Sequence, residues 1–71
     1  MDKISIRAII RNAIIHNEVR TYQFQEIQVA LGCSRHKAKQ LYYAFLYNAE
    51  EKFLRKKLSE PDDDSVKHHS V

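Results

Sequence analysis

Five side chains of one stretch, Arg35, His36, Lys39, Gln40 and Tyr43, recur at a spacing that puts them on one face of a helix opening at Ser34. Their types suit the edges of base pairs in a major groove. Arginine can bond guanine through two donors, glutamine can do the same with adenine, and lysine meets guanine or a phosphate. Tyr43 lies farther along, with a hydroxyl for a phosphate and a ring for a thymine methyl. Lys37 falls at the border of this face. With Ser34 at its start, the set Ser34, Arg35, His36, Lys37, Lys39, Gln40 and Tyr43 is the candidate contact surface for double-stranded DNA. Several cations on a surface helix usually form only a solvated face. This one stands out because a glycine turn and a serine cap come immediately before it. Residue type alone does not say which members read bases and which only position the chain.

Other chemistry finds little footing. The one cysteine, Cys33, excludes an internal disulfide and fits a reducing cytosol. His36 is three residues away on the helix surface, a poor arrangement for a nucleophile and its base. Asp62, Asp63 and Asp64 stand in a segment with nothing to fix an acid–base pair. No glycine-rich loop is present to cradle a phosphate. His68 and His69 are adjacent in the same segment and lack the further ligands of a metal site. The expectation is a protein that is not an enzyme, with no cofactor, no metal and no small-molecule substrate.

The elements that must position the face begin with the turn. Gly32 is the only glycine and follows the apolar pair Ala30-Leu31, where a helix ending in a left-handed residue needs it. Ser34 can cap the next helix, and Cys33 between them is small enough to tuck under both helices. Upstream, Glu26 would be the third residue of a helix running from about Phe24 to Leu31, with Tyr22 packed on Ile27 as a staple. That register makes Gln23 the cap, and Thr21 is a better one two positions earlier. Phe24, Ile27, Ala30 and Leu31 would face the core, with Gln25 and Gln28 outward and able to reach phosphates.

The run Glu26-Ile27-Gln28-Val29-Ala30-Leu31-Gly32-Cys33-Ser34 resembles the helix-turn-helix family of DNA-binding proteins in its form Glu-apolar-Ala-x-x-Leu-Gly-apolar-Ser. Ala38 and Leu41, six and nine residues past the glycine, would take the later buried positions. The resemblance covers about two dozen residues, 22–45, and identifies no subfamily. Gln28 departs from the alanine the family prefers where the two helices approach, so its amide must point outward or the helices must cross farther apart. The resemblance implies that the helix after Ser34 enters the major groove.

An earlier helix is expected from about Lys3 to His16, capped by Asp2, with Ile6, Ile9, Ile10, Ala13 and Ile14 on one face. Arg7 and Arg11 form a basic pair off that stripe, for phosphate contact or plain solvation. Residues 16–20 make a polar connector. In the helix after Ser34, Ala38, Leu41, Tyr42 and Phe45 would point inward. The pattern continues through Leu46, Ala49, Phe53, Leu54 and Leu58. Either one helix runs to Leu58, about 36 Å at 1.5 Å per residue, or the chain breaks at Asn48, which would cap a fourth helix with Glu51 three positions on. The break is preferred. Glu51 and Arg55 suit an i,i+4 pair in either case. Leu46, Phe53, Leu54 and Leu58 would fold back on Ile9, Ile10 and Ile14 or meet a second copy of the chain.

Seventy-one residues make one small domain with a core that covers only ~60% of the unfolded surface. The expected fold is all-α, a three- to four-helix helix-turn-helix domain over 1–58 and a flexible acidic tail over 59–71. No apolar run approaches the ~18 residues of a membrane span, and no secretory leader is visible. Residues 1–59 carry eleven Lys and Arg against five Asp and Glu, a balance of +6. Residues 60–71 set Lys67 against Glu60, Asp62, Asp63 and Asp64, a balance of −3. The basic part favours a polyanionic partner.

Taken with the resemblance, this implies sequence-specific binding of double-stranded DNA, most simply by a small transcriptional regulator. Its size is like that of regulators carried by bacteriophages, plasmids or other mobile elements, acting in the cytoplasm of a bacterial or archaeal host. An excisionase-like or small-terminase-like role in DNA architecture or packaging uses the same helix. A third reading is a helical protein-interaction module or inhibitor that presents the Phe53–Leu58 stripe.

Overall fold

Isoleucine, leucine and aromatic side chains at three- and four-residue spacing build four helices around one small core. The computed structural model describes residues 5–61, and among them every regular element is helical. They are α1 (Ile6–His16), α2 (Arg20–Leu31), α3 (Arg35–Leu46) and α4 (Glu51–Ser59). α1 packs on the other three, α2 on α3, and α3 on α4. Ile6, Ile10, Ala13, Phe24, Ile27, Ala38, Leu41, Tyr42 and Leu54 form the buried core. Each large aliphatic side chain there contributes about 1.5–3 kcal/mol on leaving water. Ile14, Leu31, Cys33, Phe45 and Leu58 pack against its edge. No helix among the described residues is long and apolar enough to cross a membrane.

α1 starts at Ile6, not near Lys3. Ser5 is its cap, with the Ser5 hydroxyl accepting from the Ala8 N–H at 3.1 Å; Asp2 and Lys3 lie outside the described residues. A remote carboxylate reinforces this start. Glu51, the first residue of α4, accepts from the Ile6 N–H at 2.7 Å, the Arg7 N–H at 3.0 Å and the Ser5 hydroxyl at 3.1 Å. It satisfies amides that a helix start leaves without partners, and its charge suits the positive end of α1.

α2 starts four residues before the expected Phe24. Its cap is Val19, which has no side-chain acceptor, so neither Thr21 nor Gln23 does the capping. The Tyr22 and Gln23 amides close on the Val19 carbonyl instead, at 3.0 and 3.1 Å. Tyr22 therefore lies inside the helix and is exposed, not stapled to Ile27, and Ala30 is likewise exposed where core burial was expected. Glu26 accepts from the Asn17 amide and pairs with His16 Nδ1, both at 2.9 Å. Bonds from His16 first, then from Asn17, hold its carboxyl below the usual value. Gln23 is buried and fully engaged. It donates to the Asn17 carbonyl at 2.8 Å and accepts from the Tyr42 hydroxyl at 2.9 Å, joining the α1–α2 connector to α3.

α3 and α4 are separate helices, but Asn48 is not the cap of α4. It carries a left-handed backbone (φ 68°) just past the end of α3. The Asn48 amide bonds the Phe45 carbonyl at 2.8 Å and the Ala49 amide bonds the Ala44 carbonyl at 3.0 Å, the 5→2 and 6→1 pair of a Schellman ending. Glu50 holds the cap position of α4 without a side-chain bond. Leu54 is fully buried in the core of this chain and Leu58 is partly buried against it, the fold-back course of the two expected for them. Leu46 and Phe53 stay about half exposed.

Candidate functional site

The turn between α2 and α3 sets the direction of the cationic helix. Gly32 adopts φ 64° and ψ 38°, its amide bonding the Gln28 carbonyl at 2.7 Å. Ser34 then caps α3, its hydroxyl accepting from the Lys37 N–H at 3.0 Å. Ala38, Leu41 and Tyr42 anchor the inner face in the core, with Phe45 half-buried at its edge. The outer face is thereby turned to solvent.

On that face Arg35 and Lys39 are exposed and stand one turn apart. Both sit over the ring of Phe24, with the Arg35 guanidinium carbon 5.5 Å and the Lys39 Nζ 5.9 Å from its centroid. Tyr43 is exposed and packs edge-on against Tyr42, the centroids 5.2 Å apart. Phe24 touches both tyrosines, at 4.9 Å to Tyr42 and 6.3 Å to Tyr43. His36 and Gln40 are half-buried on the same helix. The rings position two long cations by contacts of about 0.5–1 kcal/mol, weak enough to yield to an anion.

A third cation joins from α2. Arg20, which the sequence places in a connector, is the first residue of that helix and fully at the surface. Its guanidinium lies 6.0 Å from the Tyr42 ring, and its Nη1 is 3.4 Å from the Tyr43 hydroxyl, the outer limit of a hydrogen bond. The phenols of Tyr43 and then Tyr42 hold it above its ordinary value. The available signal was the i,i+4 spacing of Arg20 and Phe24, hidden by starting α2 too late.

Lys37 does not belong to the face. It is 4% exposed, and its ammonium donates to the Lys57 carbonyl at 2.7 Å and the Glu60 carbonyl at 2.8 Å. It closes the C-terminal end of α4, where a cation is favoured. Arg7 is also engaged internally. Its Nη1 donates to the Ala49 carbonyl and its guanidinium lies 5.0 Å from the Phe45 ring, so its expected role at a phosphate gives way to joining α1 to the α3–α4 turn. Arg11 and Gln25 are exposed and Gln28 is half-buried. Among the described residues, no group of three or more His, Cys, Asp and Glu gathers to hold a metal.

What remains is a patch of about three turns of helix, carrying Arg20, Arg35 and Lys39 around Phe24, Tyr42 and Tyr43. It can offer planar and point cations and a phenol to an anionic polymer, and the exposed ring of Tyr43 to a stacked base or methyl group. No family model matches the chain, and neither a curated protein nor a solved structure does.

Proposed function

We propose that α2, the Gly32 turn and α3 form a helix-turn-helix, and that the chain is not an enzyme but a small regulator that binds double-stranded DNA by laying α3 in the major groove. The observation that carries this is the outward face of α3, where Arg35, Lys39 and Tyr43 stand exposed beyond a left-handed glycine and a serine cap. Arg35 and Gln40 are the candidates for guanine and adenine. Lys39, Tyr43 and Arg20 are suited to the phosphates on either side. The +6 balance of residues 1–59 favours approach to any polyanion.

Double-stranded DNA is thus the proposed partner, in the cytoplasm of a bacterial or archaeal host, and a bacteriophage or other mobile element the proposed source. Selection of bound duplexes from a random pool tests the reading. A recovered motif that Arg35→Ala with Lys39→Ala no longer binds, in a variant with unchanged helix content and melting, supports it. Binding equal to that of the unsubstituted chain overturns the site assignment. Footprints at a promoter favour transcriptional regulation, and footprints at a recombination or packaging site favour the excisionase-like or terminase-like role.

A second reading rests on a different surface. Leu46, Tyr47 and Phe53 are exposed beside a shallow concavity of about 440 Å³ at the α3–α4 turn. A second copy of this chain or another protein could cover it. A dimer would set two copies of α3 about one DNA turn apart, ~34 Å, and give a palindromic motif.

A further inference from the structure

We propose that the acidic segment after Pro61, residues 62–71, docks on the cationic face of α3 and competes there with other polyanions. This rests on the reading of that face as a polyanion surface. The route of the chain is the first support. The Glu60 carbonyl is held 2.8 Å from the ammonium of Lys37, the third residue of α3, and the same ammonium holds the Lys57 carbonyl. The backbone therefore leaves α4 at the Lys37 flank of the first turn of α3, about 200° round that helix from Arg35 at 100° per residue. Ten residues follow, each able to span up to ~3.3–3.6 Å. The outer face of α3 is twelve residues long, ~18 Å at 1.5 Å per residue; Asp64, four residues past Glu60, reaches up to ~14 Å, enough for the first turns of α3.

Charge is the second support. Asp62, Asp63 and Asp64 come immediately after the tether, with Lys67 the only cation beyond it. The C-terminal end of α4, which they leave, presents carbonyls and partial negative charge. The N-terminal end of α3, which they meet, presents amides and partial positive charge. Arg35, Lys39 and Arg20 stand exposed round the helix from that exit, on the α2 side. On α4, Lys57 lies 3.6 Å from the Glu60 carboxylate and Arg55 3.2 Å from that of Glu51, which leaves Lys52 and Lys56 as the competing surface. Because the segment is tethered, its local concentration is on the order of millimolar, so weak and salt-sensitive ion pairs are enough to occupy the face.

The test compares the full chain with the full chain carrying Asp62→Asn, Asp63→Asn and Asp64→Asn. In the free proteins, amide and side-chain resonances of Arg35, His36, Lys39 and Gln40 are expected to differ between the two, and the difference to fade by about 0.5 M salt as the Debye length falls toward ~4 Å. With duplex DNA at low salt, the triple variant is expected to bind roughly tenfold tighter, as three exposed ion pairs no longer compete. Unchanged α3 resonances, or changes confined to Lys52 and Lys56, overturn the docking. Resonance changes without duplex binding by either protein sustain the docking and remove the duplex reading. Equal duplex binding by both, with silent resonances, leaves the duplex reading standing and removes the docking.

Discussion

The two turns that flank α3 reach the same backbone shape by different means. At the first, Gly32 takes φ 64° at no steric cost and Ser34 caps the helix that follows, so both devices lie within three residues. At the second, Asn48 takes φ 68° and Glu50 caps nothing with its side chain. That turn is held from a distance. Arg7 of α1 donates to the Ala49 carbonyl, Glu51 reaches back to the start of α1, and Lys37 closes the far end of α4. The turn with its own chemistry leaves Arg35 and Lys39 at the surface, while Lys37 between them is drawn to the end of α4. A turn without it draws charged side chains inward.

The largest expected effect comes from removing the anchor of the second turn. Glu51→Ala leaves the Ile6 and Arg7 amides without their acceptor and is expected to destabilise by about 2–3 kcal/mol, read as a lower urea midpoint at unchanged slope. Partial burial pushes the Glu51 carboxyl up. The bonds from the Arg7 and Ile6 amides and the Ser5 hydroxyl, with the charge of Arg55, outweigh that and hold it below its usual value. A carboxyl lowered by folding stabilises fully above its ordinary value of 4.5 and loses that contribution as pH falls through the lower folded-state value. Glu51→Gln should therefore flatten the acid limb of the stability curve, with Glu26 leaving a residual slope. An acid limb as steep as that of the unsubstituted chain would show the carboxylate to be idle there.

Next in size is Lys37→Met, which keeps the aliphatic stem and removes the ammonium from two carbonyls. The expected cost is about 1–2 kcal/mol, because desolvation of the buried charge is recovered in part. Hydrogen exchange should quicken in the last turn of α4 while the amides of α2 and the Gly32 turn keep their protection. Uniform loss of protection in all four helices would mean that the two turns are not independent.

The contrast also explains what was readable in the sequence. Gly32, Ser34 and the spacing of Ala38, Leu41 and Tyr42 act within one or two turns of helix, so residue type and period were enough to locate α3 and its inner face. The break before α4 was legible for a similar reason, although Asn48 ends a helix rather than starting one. The partners of Arg7, Lys37 and Glu51 lie 20 to 46 residues away, and helical period gives an angle on a helix without saying what stands opposite. Lys37 follows Arg35 by about 200° at 100° per residue, a flank that α4 happens to cover. The start of α2 was misplaced because backbone bonds to Val19, a residue with no capping side chain, set it.

The self-contained turn should be less costly to damage. A Cβ added at Gly32 would meet nothing within 4 Å, so Gly32→Ala is charged only for the left-handed backbone, about 1 kcal/mol. A loss above ~3 kcal/mol would require a close contact that this geometry lacks.

The smallest effect is expected at Asn48, and it separates strain from tether. Asparagine tolerates the left-handed region better than any other residue with a Cβ in this turn, so Asn48→Gly relieves little. Glycine also gives the unfolded chain more freedom, which opposes the gain. The net change should stay within about 0.5 kcal/mol, measured by urea unfolding. If the distant bonds hold the turn against backbone strain, the relief should grow when one of them is cut. Asn48→Gly made in a Glu51→Ala background tests that directly, since the two positions are close enough to couple. Additivity within ~0.5 kcal/mol assigns Glu51 to the start of α1 alone. A larger gain in the double variant makes Glu51 the clamp on the turn as well.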